Sequence, residues 1–191
     1  MSNIFINMES DEYIHLKKSL KYMEYGDYIR EHRANVQKAY EMLKDYFSNW
    51  IVNEIGSRGL EACIRVHDVS KFHPTEFIAY RRHFFPIDEA EKEKEAANPE
   101  AFQRACKHHY KFNPHHPEYW IDADGTKHNM DIASLCEMIC DLWAMSFKFH
   151  NTPLQYIKSK GDEFKDMMSR NSYDRLICML EDIDKKGLIK I

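Results

Sequence analysis

An adjacent His67-Asp68 pair, followed by Val69, Ser70 and Lys71, gathers a nitrogen ligand, a two-oxygen carboxylate and an ammonium into five residues. Imidazole and carboxylate together suit divalent transition metals such as Mn, Fe, Co, Ni or Zn better than Mg. One carboxylate can also bridge two ions, so the dipeptide can seed a two-metal site. On a helix, Lys71 would lie one turn beyond His67 and could present its charge to a phosphate oxygen at the same spot. In a chain of 191 residues with 11 histidines, an isolated His-Asp pair is ordinarily a surface dipeptide. The spacing and setting of the other histidines and acids give this one weight.

The segment 107–120, KHHYKFNPHHPEYW, places His108, His109, His115 and His116 within nine residues. His109 follows Phe102 by seven positions and Ala105 by four, which makes it the more inward of its pair on a helix. His115 and His116 lie between Pro114 and Pro117, so a stiffened backbone holds their rings; an exposed polar loop is the alternative. Between Ile132 and Phe147, in IASLCEMICDLWAMSF, the only charged residues are Glu137 and Asp141. A helix apolar on nearly every side is a buried one, and acids four apart stack on one face. Buried carboxylates cost several kcal/mol, of order, unless a cation or strong donors meet them. Asp141 is therefore read as a metal ligand, while for Glu137 direct ligation and a supporting role both stand. His32 falls on an apolar stripe, where a core histidine bonded to a backbone carbonyl is the ordinary reading.

Helices must carry these groups. A first helix is expected over residues 10–25, with Tyr13, Leu16, Leu20 and Met23 at helical spacing, ending near Gly26. A second runs from about Asp27 to Ile55 on a stripe of Ile29, Val36, Ala39, Leu43, Tyr46, Phe47 and Trp50, with His32 among them. Gly56 and Gly59 break the chain, and residues 60–72 form a third helix carrying His67 and Asp68. The next helix bears Tyr80, Arg81, Arg82 and His83, and residues 86–98 read as a charged, solvated excursion. From Pro99 a helix leads to the histidine-rich segment, Asp124-Gly125 marks a tight turn of a minimal hairpin, and helices over 129–149, to Lys160 and over 172–186 follow. This is an all-α bundle in a single domain, with a metal-site core over about residues 28–150 and a helical cover over 151–191.

Composition narrows the function classes. A net charge of -4, with 27 Lys and Arg among 31 Asp and Glu, leaves no basic face for a nucleic-acid backbone, though a small phosphorylated ligand fits. Cys63, Cys106, Cys136, Cys140 and Cys178 form no disulfide framework and read as reduced thiols in the core of a cytoplasmic protein. The N-terminus lacks the marks of a signal peptide, and no stretch is long and apolar enough to span a bilayer. Arg81 and Arg82 are further candidates for a phosphate oxygen, with a solvated helical face as the alternative. Tyr80, Tyr119 and Trp120 could stack on a nucleobase, although such aromatics more often fill a core.

In chain order the candidates are His32, His67-Asp68, His109, His115 or His116, and Asp141. This order resembles the HD-domain superfamily of metal-dependent phosphohydrolases, in its two-metal form, and HDVSK is similar to the superfamily's His-Asp signature ending in Lys. The set YIREHRANV, HDVSKFHPTEF, AYRRHFF, HHYKFNPHHPEYW and EMICDLWAM more closely resembles an uncharacterised family of small HD-like proteins of bacteria and phages. The resemblance covers about residues 28–150. It implies that His32, His67, Asp68 and Asp141 bind one ion, and that Asp68 bridges to a second completed by His109 and one of His115 and His116. The extra histidines leave that second set ambiguous.

Two divalent ions with such ligands imply hydrolysis of a small phosphate ester, most plausibly a nucleotide, by an activated water, with Asp68, Lys71 and Glu137 in catalytic roles and Lys71, Arg81 and Arg82 holding the substrate. Two alternatives stand beside it: a di-iron oxygenase of the same superfamily, and a non-enzymatic helical domain with structural metals. A homodimer is compatible with all three.

Overall fold

The computed structural model describes residues 10–51 and 59–189. Among them the regular structure is helical, with no strand: α1 (Asp11–Ile51), α2 (Leu60–Val66), α3 (Pro74–Phe84), α4 (Glu89–Ala97), α5 (Glu100–Phe112), α6 (Ile132–Phe149), α7 (Pro153–Ser159), α8 (Glu163–Met167) and α9 (Arg170–Lys186). Short 3-10 turns cover Val69–Phe72 and Pro117–Trp120. None of the described helices is long and apolar enough to cross a membrane. The described residues group into two compact units, one of residues 10–30 with 70–109 and one of 31–51 and 59–69 with 110–189.

The first unit is built on aromatic packing. Tyr25, Ile29, Ala79, Tyr80 and Ala105 form its buried centre, joined by Phe77, Phe85 and Phe102. Ring centroids of Tyr25 and Phe77 lie 4.9 Å apart, and Tyr80 meets Phe102 edge-on at 5.3 Å, geometries that ring quadrupoles favour. The charged run expected as a solvated excursion is helix α4 with none of its residues buried, and Asp88 caps it by accepting from the Glu91 backbone amide.

The second unit is organised by α6, whose residues from Ile132 to Cys140 are all buried. It packs against α2, α7 and α9, and Val36, Leu43 and Phe47 of α1 join Leu135, Ile139, Trp143, Leu176 and Leu180 in one core. Asp131 starts α6 by accepting from the Ser134 amide, and His150 ends it in left-handed geometry. Ile121 and Lys127 form a single antiparallel bridge around Gly125, whose φ of 85° is one that glycine adopts without strain.

Several expectations need correcting. α1 is continuous through Gly26, since one glycine costs only about 1 kcal/mol in a helix and neighbouring turns carry it. The expected break at Gly56, and the end of the second helix near Ile55, lie outside the described residues. Leu16, Leu20 and Met23 lie in the helix at the expected spacing and are exposed. Cys178 is exposed on α9, whereas Cys63, Cys136 and Cys140 are buried as expected. The expected third helix stops at Val66, before the His-Asp pair, with consequences for the site.

Candidate metal centre

His67 and Asp68 stand on a sharp turn. His67 leaves helical geometry at φ -47° and ψ 127°, and Asp68 is left-handed at φ 56°. An aspartate tolerates that region better than most residues, yet a left-handed side chain held in a buried position stores strain typical of functional sites. The turn is braced by Arg33, whose Nε donates to the His67 carbonyl and whose guanidinium also donates to the Arg65 carbonyl, both at 2.8 Å. Those are carbonyls that the end of α2 leaves without helical partners. Arg33 was not singled out from sequence; its only signal was adjacency to His32.

The turn carries the pair to three further elements of the second unit. His32 Nε2, from α1, lies 3.3 Å from His67 Nε2, 3.4 Å from Asp68 Oδ2 and 3.1 Å from Asp141 Oδ1 of α6. His67 Nε2 is 3.5 Å from Asp68 Oδ2 and 4.0 Å from Asp141 Oδ1. Ligands bonded at ~2.1 Å to one ion stand roughly 3.0–3.5 Å apart in octahedral or tetrahedral arrangement, so most of these separations match those around a common cation. On the other side, His115 Nε2 lies 3.6 Å from Asp68 Oδ1 and 3.9 Å from Asp141 Oδ2. Each carboxylate thus turns one oxygen to His32 and His67 and the other to His115.

Glu137 sits behind this cluster. Its Oε1 is 3.0 Å from His67 Nδ1 and 3.1 Å from His115 Nδ1. Burial alone would raise its pKa, but the His115 and His67 imidazoles outweigh that and hold it at about 2. An ionised carboxylate only accepts, so in its hydrogen bond to Glu137 the His67 Nδ1 carries the proton and the His67 Nε2 lone pair faces the cluster, while the same oxygen stands beside His115 at ion-pair distance. This is the supporting position, where a carboxylate fixes a ligand's tautomer and orientation. His115, 1% exposed, is the histidine beside Glu137; His116 is half-buried, and its ring also comes within 4.8 Å of donor atoms of Asp68 and His115.

Electrostatics favour a cation here. Burial works against a charge on Asp141, but His32 beside it holds the carboxyl far below the usual range. Burial likewise works against charged His32, yet the Asp141 and Asp68 carboxylates push it up to about 9. Burial pushes His67 down. The metal-free cluster therefore keeps a proton on His32, and an ion binding through its nitrogen must displace that proton. Below pH 9, apparent metal affinity should rise about tenfold per pH unit, with close to one proton released on binding, measurable by calorimetry in buffers of different ionisation enthalpy. The raised His32 pKa also stabilises the metal-free fold fully below pH 6.5, and that contribution is lost as pH rises through about 9. In metal-loaded protein this alkaline loss should disappear.

The remaining expected residues belong to the first unit. His109, 1% exposed, has Nδ1 2.8 Å from Glu76 Oε2, while Glu76 Oε1 is 2.6 Å from His108 Nδ1. Burial alone would raise the pKa of Glu76, but His109 and His108 bring it below its ordinary value. Sequence gave no hint of Glu76, because an acid in the first turn of a helix is commonplace. Lys71 is half-buried and Arg82 exposed. Arg81 is not the free phosphate ligand expected: it is fully buried, with its guanidinium forked onto Glu91 at 2.5 and 2.7 Å, which ties α3 to α4.

Of the cluster's groups, Asp141 is only partly buried, keeping 23% of its side chain exposed, whereas His67, Asp68 and His115 keep 1% or less. Asp141, His115 and His116 line a cavity of about 320 Å³. Tyr119 and Trp120 are not among its lining residues; Trp120 donates from Nε1 to the Pro114 carbonyl at 2.7 Å. Comparison with curated proteins and with solved structures found no match. Residues 21–186 match a protein family described only as of unknown function, DUF5662, and the chain belongs to that family.

Proposed function

We propose that this protein is a metal-dependent phosphohydrolase acting on a small phosphate monoester. The observation that carries the reading is the two-sided placement of Asp68 and Asp141: one oxygen of each toward His32 and His67, the other toward His115. His32, His67, Asp68 and Asp141 would hold one divalent ion, and Asp68 with His115 would share in holding a second. Such ions supply Lewis acidity at a phosphoryl oxygen and lower the pKa of water toward neutrality. Glu137 keeps the His67 and His115 rings aimed, the Asp68 turn brings carboxylate and imidazole to one point, and the opening at Asp141 gives a substrate access to otherwise buried groups. This arrangement supports the HD-type reading of the sequence.

Protein purified without chelator should contain Mn, Fe, Co, Ni or Zn by elemental analysis. Reloaded with the metal found, it should release phosphate from a panel of monoesters, and chelation should abolish that release. Stoichiometric metal with no turnover across the panel would contradict the hydrolase reading and favour a structural role for the metal. Oxygen consumption by iron-loaded protein would favour an oxygenase.

A further inference from the structure

The cavity beside the metal cluster has the wrong chemistry for a highly charged substrate. Its walls include Met138, Leu142, Met145, Phe149, Phe164 and Met167, and no Lys or Arg is among the described residues lining it. The acids that do line it are Asp141, at the cluster, and Glu118, whose Oε2 is buried with no hydrogen-bond partner among the described residues. With no Lys or Arg on the wall, nothing beyond the cluster's own histidines offsets the charge of further phosphates or carboxylates there. Ser146, the one hydroxyl of the serines and threonines on the wall, is already engaged, donating to the Leu142 carbonyl at 3.0 Å. At about 320 Å³ the space lies at the small end of ligand pockets, which run from about 300 to 1,000 Å³. Phe149, 61% exposed, presents an apolar face to solvent beside the opening. Three methionines give the walls a soft, adaptable surface that accepts chains of varying shape.

Resting on the hydrolase reading above, we infer that the substrate is a phosphate monoester of an apolar, alkyl-type alcohol, with the phosphate at the His-Asp cluster and the alkyl group in this cavity. In the reaction the oxygen of water bonds to phosphorus and the ester P–O bond breaks. Its electron pair stays on the alkoxide, which takes up a proton from the water and leaves as the alcohol, while inorganic phosphate forms. Neither oxidant nor co-substrate is needed.

The test uses the full chain loaded with its metal and a series of methyl, butyl, hexyl and octyl phosphates below micelle-forming concentration, beside adenosine mono- and triphosphate. The kcat/KM should rise about fourfold per added methylene until the cavity is filled, which corresponds to ~0.8 kcal/mol per buried CH2, and hexyl phosphate should surpass both nucleotides. Phe149→Asp, at an exposed position where folding is not at stake, should flatten that rise. Turnover that is independent of chain length, that favours the nucleotides, or whose slope Phe149→Asp leaves intact overturns the inference while the hydrolase reading stands. Absence of turnover on every ester overturns the hydrolase reading instead. The cavity assignment is then judged by calorimetric binding: octyl phosphate binding far tighter than methyl phosphate, with a negative heat-capacity change, sustains it, and equal affinities overturn it.

Discussion

Replacing Asp68 by asparagine should abolish the proposed binding of divalent metal while leaving the helical fold in place. Asparagine tolerates the left-handed φ of 56° much as aspartate does, so the substitution removes charge without adding backbone strain. Asp68 faces His32 and His67 with one oxygen and His115 with the other, so losing the carboxylate weakens both sides of the cluster together. Affinity should fall by more than about 100-fold, beyond the 10–100-fold typical of losing a supporting partner. Asp68→Ala should lose metal equally and suffer an added loss of roughly 1–2 kcal/mol from the left-handed backbone. Elemental analysis after exhaustive dialysis reads the first effect and denaturant unfolding the second. Full metal content in Asp68→Asn would show that the carboxylate does not hold the ions.

Glu137→Gln separates aiming from ligation. The glutamate accepts from His67 and lies 3.1 Å from His115 Nδ1 through the same oxygen; glutamine keeps the shape but offers a neutral carbonyl and a competing N–H2 donor. His67 loses the anion that fixes its proton on Nδ1, so its Nε2 is no longer reliably the ligand atom, and His115 loses the negative charge beside it. Metal affinity should drop 10–100-fold with stoichiometry unchanged at saturation, as read by calorimetric titration. Unchanged affinity would mean that Glu137 only fills space in α6, and lost stoichiometry would make it a ligand.

The parts of this protein legible in its sequence are those with a strong local signal. α6 is marked by two acids in an otherwise greasy run, and of these Glu137 is buried as that run demands while Asp141 keeps 23% of its side chain exposed. The prolines around His115 and His116 likewise announced a held loop, and the stripe of α1 that contains His32 is buried as its spacing demands. Non-local effects hid the rest. Nothing local in LEACIRVHDVSK states that the helix must stop at Val66, because the stop is held by Arg33, more than thirty positions away. The Leu16, Leu20 and Met23 stripe has helical period but no covering partner among the described residues, since period alone does not say what a face meets. Arg81 carried the same sequence signature as a phosphate ligand, and only Glu91 on the following helix reveals its engagement.

In the proposed site His32, His67, Asp68 and Asp141 grip one divalent cation. An anomalous-difference map from crystals loaded with Mn or Zn addresses it most directly. The expected result is a strong peak within about 2.0–2.3 Å of His32 Nε2, His67 Nε2 and oxygens of Asp68 and Asp141. A map at saturating metal with no peak there, or with peaks only at exposed groups such as His128 and Asp122, would contradict it.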